Sequence, residues 1–558
     1  MTISLRDYQQ EAVDAVMDQF QTVQSTLVTL PTGCGKTVTA AEIIRRHLDA
    51  NPRKRVMCIA HREELIFQGA KAIEKITGEH VAIEMADQWS DETPGMFGAD
   101  PARVVFATVQ TLSMSRGGRM DRFRPSDFCL FWTDEAHHST AETYRKVTDY
   151  FCASNPQCKH LGVTATPDRG DEEALGQIYQ SVAYEYGILD AIHGGYLVPV
   201  KSRQVFVDGL DFSNVRTTAG DLNGADLAEL LEEESNLHGV VNPTIEIAGN
   251  RRTLVFAGTV KQAERISEIF NRHNPQSARI VHGGTPKDER RQMLADYAAG
   301  RFQTLCNVGV ATEGFDSPGI EVVVMARPTK SRALYAQMAG RGMRILPGVI
   351  DHVADPAQRK NRIAGSAKPS CLILDFVGNS GRHKLIAPED ILGGKLSDEV
   401  VAKARDIAKK KGNEEVDMAA ALEQAERDIS EAKRRAIKAK AKFRVQDMNP
   451  FDVLDITPGR EAAWHKGRKP TDRQIEVLTN AGVPNPANLT FSEASKLIDG
   501  FKERRANGLC TFKQARFLVN KGYEDAASWS FQKAGAYMNA LSKNGWKKLS
   551  PEQEPVGV

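Results

Sequence analysis

The sequence lacks the features of membrane and secreted proteins. No uninterrupted apolar run in the 558 residues approaches the ~18 residues of a membrane-spanning helix. The polar start MTISLRDYQQ contains no hydrophobic stretch of a signal peptide. The eight cysteines are scattered along the chain, which is typical of reduced thiols and not of a disulfide framework. We therefore expect a cytoplasmic protein of a bacterium or a phage-infected cell, without membrane contact.

The chain also has almost no net charge. Its 73 basic and 72 acidic residues leave a formal charge of +1, so any attraction to nucleic acid must come from local basic faces. Hydrophobic residues make up 41%, which is enough for several cores. At this length, about three to five domains are expected.

Short β-branched runs alternate with helical segments in two successive blocks. Examples are Thr26–Leu30 and Cys129–Thr133 in the first block, and Thr253–Phe256 and Glu321–Met325 in the second. Strands that alternate with helices form βαβ units with parallel sheets. The pattern therefore predicts an α/β fold with two parallel-sheet domains.

The C-terminal third has a different character. Between Glu414 and Glu431 there are seven acidic residues and one basic residue, and the next stretch, Lys433–Arg444, has seven basic residues and no acidic one. No Gly or Pro interrupts Met418–Phe443, which predicts one long helix. This helix is either a solvated helix whose halves pair with each other or with the rest of the chain, or a basic prong that contacts phosphates.

Residues 471–501 align without gaps on residues 511–541, with eight identities. Each copy has a Thr at a predicted helix N-cap and a Gly at a predicted C-cap, followed by a second capped helix. We expect a small all-α module of two helical hairpins that docks nucleic acid or a protein partner. The basic residues expected on its surface are Lys502, Arg504, Arg505, Lys513, Arg516, Lys543, Lys547 and Lys548.

Residues 30–37 read LPTGCGKT directly after an apolar run. Gly33 and Gly35 allow a tight turn with N–H groups facing a phosphate, Lys36 can reach the β- and γ-phosphates, and Thr37 can hold Mg²⁺. The usual P-loop begins with Gly or Ala, whereas this one has Leu30. The predicted nucleotide-binding residues of the loop are Pro31, Thr32, Gly33, Cys34, Gly35, Lys36 and Thr37.

A second motif follows about a hundred residues later. The apolar strand Cys129–Thr133 leads into Asp134-Glu135-Ala136-His137. Asp134 is placed to be the second protein ligand of Mg²⁺, and Glu135 can orient and deprotonate an attacking water. Together, the two motifs predict ATP hydrolysis with Mg²⁺.

These and later motifs, in this order, resemble those of helicase superfamily 2, over roughly residues 1–390. The resemblance implies two RecA-like domains with ATP between them, and arginine fingers Arg341 and Arg344 in the run QMAGRGMR, which also contains Gln337. The resemblance implies further nucleotide contacts by Arg6, Gln9, Gly314 and Asp316. It implies coupling of the ATP site to the interdomain cleft through His137, Thr164 and Thr166. It implies nucleic-acid contacts by His61, Arg62, Thr108, Gln110 and Thr312.

The resemblance also gives names to the predicted domains. They are a first RecA-like ATP-binding domain (1–200), a linker or insertion (201–245), a second RecA-like helicase domain (246–395), a charged long helix (396–447), a linker (448–470), the helical repeat module (471–546) and a tail (547–558).

The opening Leu-Arg-x-Tyr-Gln and the run Arg327-Pro328-Thr329-Lys330-Ser331 resemble the DNA-repair branch of the superfamily, which includes RadD, XPB-type and phage helicases. RadD-type proteins are expected to carry a cysteine-rich zinc module, and this sequence has none. We therefore predict a DEAH-type, ATP-dependent DNA helicase in repair, recombination or replication. Three alternatives remain open: a duplex-DNA translocase that does not unwind, an RNA helicase, and a scaffold that clamps nucleic acid without hydrolysing ATP.

Overall fold

A computed structural model describes residues 5–90, 101–114, 119–165, 174–218, 221–311, 315–379, 385–394, 396–411, 414–440, 450–454, 456, 467–523, 525–549 and 553–555. The chain divides into two compact units. The first contains Met1–Gly394 and Ile407–Ala421, and the second contains Lys395–Asp406 and Leu422–Val558. None of the helices in the described ranges has both the length and the apolar character needed to cross a membrane.

The first unit contains two parallel sheets, each in its own lobe. The strands of the first sheet are β1 (Ser25–Thr29), β2 (Arg55–Ala60), β3 (Val81–Glu84), β4 (Val104–Thr108), β5 (Phe128–Asp134), β6 (Lys159–Thr164) and β7 (Ser181–Glu185). They lie in the order β3-β4-β2-β5-β6-β1-β7, and every neighbouring pair is parallel. Every residue of β1, β4 and β5 is buried, as expected for a sheet that is covered on both faces.

Helices of the first lobe connect these strands. Glu63–Thr77 is representative: it buries Ile66 and Ile73, and it ends at Gly78, whose left-handed backbone (φ +75°) suits glycine. The helices of this lobe are Asp7–Gln19, Lys36–Ala50, Glu63–Thr77, Val109–Ser113, Glu142–Thr148 and Ile188–His193.

The second lobe repeats this architecture. Its strands are β8 (Val200–Asp211), the short pair β9 (Thr217–Thr218) and β10 (Asp221–Leu222), β11 (Thr253–Phe256), β12 (Ala278–His282), β13 (Thr304–Val308), β14 (Val322–Met325), β15 (Cys371–Asn379) and β16 (Val416–Asp417). The main sheet has the order β12-β13-β11-β14-β15-β8-β16, in which only the β8–β16 pair of the described strands is antiparallel. The separate pair β9–β10 is an antiparallel ribbon.

The stretch 201–245, predicted as a linker or insertion, forms part of the second lobe. Its strand β8 pairs in parallel with β15 from Val200 to Phe206. Leu210, Phe212 and Leu237 join the apolar core of that lobe. The pattern was hard to assign because much of β8 is only half-buried and its polar and apolar residues are mixed.

Helices cover the second sheet. Val260–His273 begins at Thr259, whose side chain accepts a hydrogen bond from the Gln262 N–H, and packs Ile266 and Ile269 into the core. The helices of this lobe are Gly224–Leu231, Glu234–Ala248, Val260–His273, Lys287–Ala298, Arg332–Gly340, Pro356–Ala364 and Pro388–Leu392.

The second unit is helical and contains the repeated sequence. Both copies start with a capping box, in which Thr471 and Thr511 exchange hydrogen bonds with Gln474 and Gln514. Its buried apolar side chains form one core. Its helices are Pro450–Leu454, Asp472–Asn480, Phe491–Ala506, Phe512–Asn520 and Phe531–Lys543, and two further helices, Asp398–Lys410 and Met418–Lys440, have residues in both units.

Candidate functional site

The loop after β1 has the backbone of an anion-binding turn. Gly33 (φ +90°) and Gly35 (φ +75°) adopt left-handed conformations, and Gly35 is the N-cap of the helix that starts with Lys36 and Thr37. This N-cap has no side-chain acceptor for the first N–H groups of the helix, so these donors and the helix dipole favour a phosphate.

The carboxylates predicted to act on metal and water lie beside this loop. Asp134 ends β5, and Glu135 follows in a left-handed conformation (φ +47°), which turns the chain sharply. Both side chains are buried. Lys36 Nζ forms an ion pair with Glu135 Oε1 at 2.5 Å, so the P-loop lysine and the carboxylate predicted to act on water face one space.

A cavity of about 330 Å³ joins the two lobes at this point. The first lobe contributes Thr32, Gly33, Gly35, Lys36, Thr37, Asp134 and Glu135, and the second contributes Asp316, Pro318, Arg341, Arg344 and Ile345. The structure therefore brings the predicted P-loop, carboxylates and arginine fingers together. Gln337, in the helix before Arg341, and the loop residues Pro31 and Cys34 are buried and do not line the cavity.

The two arginines are anchored within the second lobe. Arg341 is buried and donates a hydrogen bond to the Phe315 carbonyl oxygen at 2.5 Å. Arg344 pairs with Asp316. A Cβ added to Gly33 would lie 3.0 Å from Cγ of Arg344, so the P-loop of the first lobe and this arginine approach closely. Two guanidinium groups thus line the cavity opposite Lys36.

The oxygen donors in the cavity fit a magnesium ion. Thr37 offers a hydroxyl and Asp134 a carboxylate, and both line the same space. Mg²⁺ is bound through one or two carboxylates or hydroxyls together with phosphate oxygens and water. This pair, beside a phosphate-binding loop, therefore could hold Mg²⁺ together with a nucleotide.

One edge of the cavity is aromatic and was missed by the sequence analysis. Arg6 and Tyr196 both line it, with the Arg6 guanidinium 5.2 Å from the Tyr196 ring centroid. Tyr8 packs edge-on against Tyr196 at 4.7 Å and stacks on Tyr186 at 4.5 Å. An aromatic ring beside a guanidinium suits a planar base. Tyr196 lies just after the helix Ile188–His193, where no motif marks it.

Gln9, predicted to read the base, is engaged with the P-loop backbone. Its Nε2 donates to the Cys34 carbonyl oxygen at 3.2 Å, and its Oε1 accepts from the Arg6 N–H at 2.9 Å. Tyr8 donates to the same carbonyl oxygen at 2.8 Å. The N-terminal segment therefore braces the P-loop. Burial raises the pKa of the Cys34 thiol to about 12, as is typical of cysteines that pack in a protein interior.

A hydrogen bond links the carboxylate motif to β6. His137 Nδ1 lies 3.0 Å from Thr164 Oγ1 and 3.5 Å from Glu135 Oε2. This places His137 between the candidate water-activating carboxylate and the end of β6, as a coupling residue would require. Thr166, the other predicted coupling residue, lies outside the described residues.

The predicted nucleic-acid contacts form two groups. Gln110 donates to the His61 carbonyl oxygen at 3.3 Å, and Thr108 caps the helix that contains Gln110. Arg62 instead donates to the Gly309 carbonyl oxygen of the second lobe at 3.1 Å. The sequence did not indicate this bridge between the lobes. Thr312 and Gly314 lie outside the described residues.

Two ion pairs beside Arg62 also join the lobes. Lys287 pairs with Glu63 at 2.6 Å, and Arg290 pairs with Glu64 at 2.8 Å. The glutamates start the helix Glu63–Thr77, where negative charge is favourable, and the basic residues lie on the helix Lys287–Ala298. These ion pairs form a second contact between the lobes, apart from the cavity.

Lys368 supports the loop of Arg344. Its side chain is buried, and Nζ donates to the carbonyl oxygens of Pro318 at 2.6 Å and Arg344 at 2.7 Å. Burial lowers the pKa of Lys368 to about 8. No sequence motif includes this residue, because its role depends on two loops that meet only in the folded lobe.

Two family models match the chain. Residues 2–169 match the Type III restriction enzyme, res subunit, and residues 235–346 match the helicase conserved C-terminal domain. The first range contains the P-loop and the Asp134–His137 motif, and the second contains Arg341 and Arg344.

Similar proteins include named helicases and translocases. A Saccharomyces cerevisiae protein named as an ATP-dependent helicase, IRC3, is 31% identical over 397 residues, covering 69% of this chain and 53% of IRC3. The DNA 3′-5′ translocase XPB2 of Sulfurisphaera tokodaii is 25% identical over 383 residues, covering 61% of this chain and 79% of XPB2. This chain therefore spans about half the length of IRC3.

Among solved structures, the ATP-dependent Type ISP restriction-modification enzyme LlaBIII bound to DNA aligns at a TM-score of 0.50 and 17% identity. The alignment covers 100% of this chain and 44% of that one, and at this identity it shows the fold alone. The predicted α/β architecture with two RecA-like domains and a helical C-terminal region is confirmed. With the two family matches, the findings support assignment of the motor to helicase superfamily 2.

Proposed function

We propose that this chain is an ATP-dependent motor on DNA, which couples ATP hydrolysis to translocation and to unwinding. The main support for this proposal is the cavity shared by the two lobes, in which Lys36, Thr37 and Glu135 face Arg341 and Arg344 of the other lobe. Phosphoryl transfer demands little covalent chemistry from a protein, so catalysis consists of positioning and charge stabilisation. This set of side chains supplies both.

Each side chain has a defined task in the proposed hydrolysis. The N–H groups around Gly33 and Gly35 cradle the phosphates, and Lys36 leaves its Glu135 partner to bind them. Mg²⁺ held by Thr37 and Asp134 would neutralise phosphate charge. Glu135, released from Lys36, orients the attacking water and accepts its proton.

The second lobe completes the site. Arg341 and Arg344 stabilise the charge that develops on the transferred phosphoryl group, a contribution of about 10³–10⁵ in rate for an arginine finger. Because these groups approach the phosphate from the opposite lobe, bound ATP favours the closed arrangement. Hydrolysis removes that preference, and the lobes separate. The contacts of His137 with Glu135 and Thr164 support a role for both residues in coupling hydrolysis to this motion.

DNA is the proposed substrate. The Type ISP relative is named as bound to DNA, and the XPB2 relative is named as a DNA 3′-5′ translocase. We further propose that the chain belongs to the DNA-repair and phage branch with a DEAH-type motif, supported by Asp134–His137 and the opening Leu5–Gln9 segment. The name of XPB2 also supports a second candidate function, duplex translocation without unwinding.

The test is ATP turnover by the wild-type chain and by Lys36→Ala, with Lys75→Ala as the matched control. Lys75 is an exposed lysine in the same lobe, away from the cavity. Rates are measured without nucleic acid and with single-stranded DNA, duplex DNA or single-stranded RNA, each at two salt concentrations. We expect Lys36→Ala to lose about 10²-fold or more in turnover, as for other transition-state contacts, and Lys75→Ala to match the wild type.

The nucleic-acid arms separate the candidate functions. Stimulation by single-stranded DNA above RNA supports a DNA helicase, and a strand-displacement assay then measures unwinding. Stimulation by duplex DNA alone identifies a translocase. Preference for RNA contradicts the proposed substrate, and wild-type turnover by Lys36→Ala contradicts the proposed site.

A further inference from the structure

The two copies of the C-terminal repeat share a backbone but differ in composition. Residues 471–508 contain five basic, five acidic and two aromatic residues, whereas residues 511–548 contain seven basic, two acidic and seven aromatic residues. Both copies have the same capping boxes, and Gly482 (φ +87°) and Gly522 (φ +91°) take equivalent left-handed turns. The shared backbone of the hairpin therefore does not by itself account for the extra charge and rings of the second copy.

Some of the additional rings serve the core, but others are exposed. Tyr523, Trp529 and Tyr537 are buried against one another. Trp546 is 46% exposed, although it is among the most costly side chains to leave in water. Its backbone is left-handed (φ +64°), which is rare for a bulky residue and turns the chain just after the last helix. An exposed tryptophan in a rare backbone conformation indicates a candidate binding residue.

Lys521 lies beside the ring against which Trp546 packs, and Lys547 and Lys548 follow Trp546 in the sequence. Trp546 packs edge-on against Phe517 at 5.2 Å, and Lys521 lies 5.6 Å from the Phe517 centroid while it donates to the Trp546 carbonyl oxygen at 2.7 Å. Lys548 donates to a backbone carbonyl oxygen, that of Gly522, at 3.2 Å. We name Phe517, Lys521, Trp546, Lys547 and Lys548 the Trp546 surface.

The described residues supply no acidic partner to the lysines of the Trp546 surface. Within the part of the chain that the structure describes, no carboxylate forms an ion pair with Lys521, Lys547 or Lys548. An exposed indole beside the half-buried ring of Phe517, next to ammonium groups that form no ion pair among the described residues, matches one ligand chemistry: flat bases that stack and phosphates that carry the opposite charge. A protein partner would need a complementary acidic and aromatic face. No feature of the second unit points to such a partner.

We propose that the Trp546 surface binds single-stranded nucleic acid, with bases stacked on Trp546 and Phe517 and phosphates held by Lys521, Lys547 and Lys548. Every base has a π-face, so stacking gives affinity without sequence preference. A duplex hides those faces within its own stack. This site lies within the second unit, and its existence does not depend on ATP hydrolysis by the motor.

The test uses the full chain and a fluorescein-labelled oligothymidine of about 20 nucleotides, long enough for sites of this class. Binding is followed by fluorescence anisotropy without ATP, at several salt concentrations. The first variant is Trp546→Ala with Phe517→Ala. Its control is Val477→Ala, because Val477 is the exposed residue of the first copy that aligns with Phe517. We expect the aromatic variant to bind at least about five-fold more weakly and the control to bind as the wild type does.

A second pair of variants tests the charges without touching the rings. Lys547→Gln with Lys548→Gln is compared with Lys502→Gln with Arg505→Gln, exposed basic residues of the first copy. Loss of two phosphate contacts should reduce the slope of log affinity against log salt by about 1.4. The first-copy variant should leave the slope unchanged.

Two further arms define the ligand. An oligouridine of equal length tests RNA: comparable affinity shows a site for either strand, and preference for one identifies it. A duplex of the same length should show no dependence on Trp546 and Phe517. Wild-type binding of both single strands by both second-copy variants would overturn the proposal and leave the surface for a protein partner. Because that readout contains no ATP, it is separate from the turnover test of the motor.

Discussion

Replacement of Asp375 by asparagine should stabilise the second lobe at pH 8 but much less at pH 5. Asp375 lies on β15 and is buried, and its Oδ2 accepts a hydrogen bond from Tyr335 Oη at 3.1 Å. Burial, with a smaller contribution from Glu389, raises the pKa of Asp375 to about 7. Tyr335 belongs to the helix that ends just before Arg341, so this bond ties the arginine-finger segment to the sheet.

The direction in which pH changes the stability of the second lobe follows from proton binding. Because the pKa of Asp375 is higher in the folded than in the unfolded chain, the folded state binds more protons between the two values, and the free energy of unfolding decreases as pH rises through that window. From a usual value of 3.8 to about 7, the stability lost between pH 5 and pH 8 is about 2–3 kcal/mol. Asparagine cannot ionise and keeps a carbonyl oxygen for Tyr335, so Asp375→Asn should not lose it.

Thermal unfolding of wild type and Asp375→Asn at pH 5, 6, 7 and 8 gives the measurement. The melting temperature of the variant should exceed that of the wild type by an amount that grows with pH, reaching about 5–10 °C at pH 8 for a lobe of this size. Tyr335→Phe is the control, because it removes the hydroxyl and leaves the carboxyl able to ionise. A difference between wild type and Asp375→Asn that is constant with pH would refute the assignment of this titration to Asp375.

Two further predictions concern the motor. Lys368→Met removes the donor to the Arg344 and Pro318 carbonyl oxygens but keeps a side chain of similar length. We expect kcat for ATP to fall by about 10- to 100-fold because Arg344 is misplaced, with little change in KM. An unchanged kcat would contradict a positioning role. Glu64→Arg should weaken the contact between the lobes by up to about 1 kcal/mol, the upper value for an exposed ion pair, and raise KM for ATP by up to about five-fold. Glu64→Arg with Arg290→Glu should restore KM at low salt, and failure of this charge reversal to restore it would show that the pair does not contribute to closure.

The parallel sheets and the glycine-rich loop after β1 were the parts of the molecule most accessible from the sequence. Strands buried on both faces are continuous apolar runs, so the predicted strand Thr253–Phe256 matches β11 residue for residue. The P-loop was equally clear, since its glycines and Lys36 are adjacent in the chain. Short local patterns determine these features.

What the sequence did not reveal depends on contacts between distant segments. Tyr196 lines the cavity because the chain returns past Arg6 after β7, and Lys368 reaches two carbonyl oxygens in separate loops. Arg62 has the residue type expected for phosphate binding, yet it donates to Gly309 in the opposite lobe. The packing of the two lobes determines which residue a side chain contacts across the cleft. The periodicity of the sequence does not predict that packing.

The position of β8 has a consequence for how the protein is made. This strand precedes the rest of its sheet in the sequence, but it lies between β15 and β16, and its partner residues Cys371 and Val200 are separated by most of the second lobe. During synthesis, β8 leaves the ribosome before its partner β15. Its apolar residues and backbone hydrogen-bonding groups stay exposed until β15 emerges and pairs with it. The second lobe therefore closes late, around the earliest segment of its own chain.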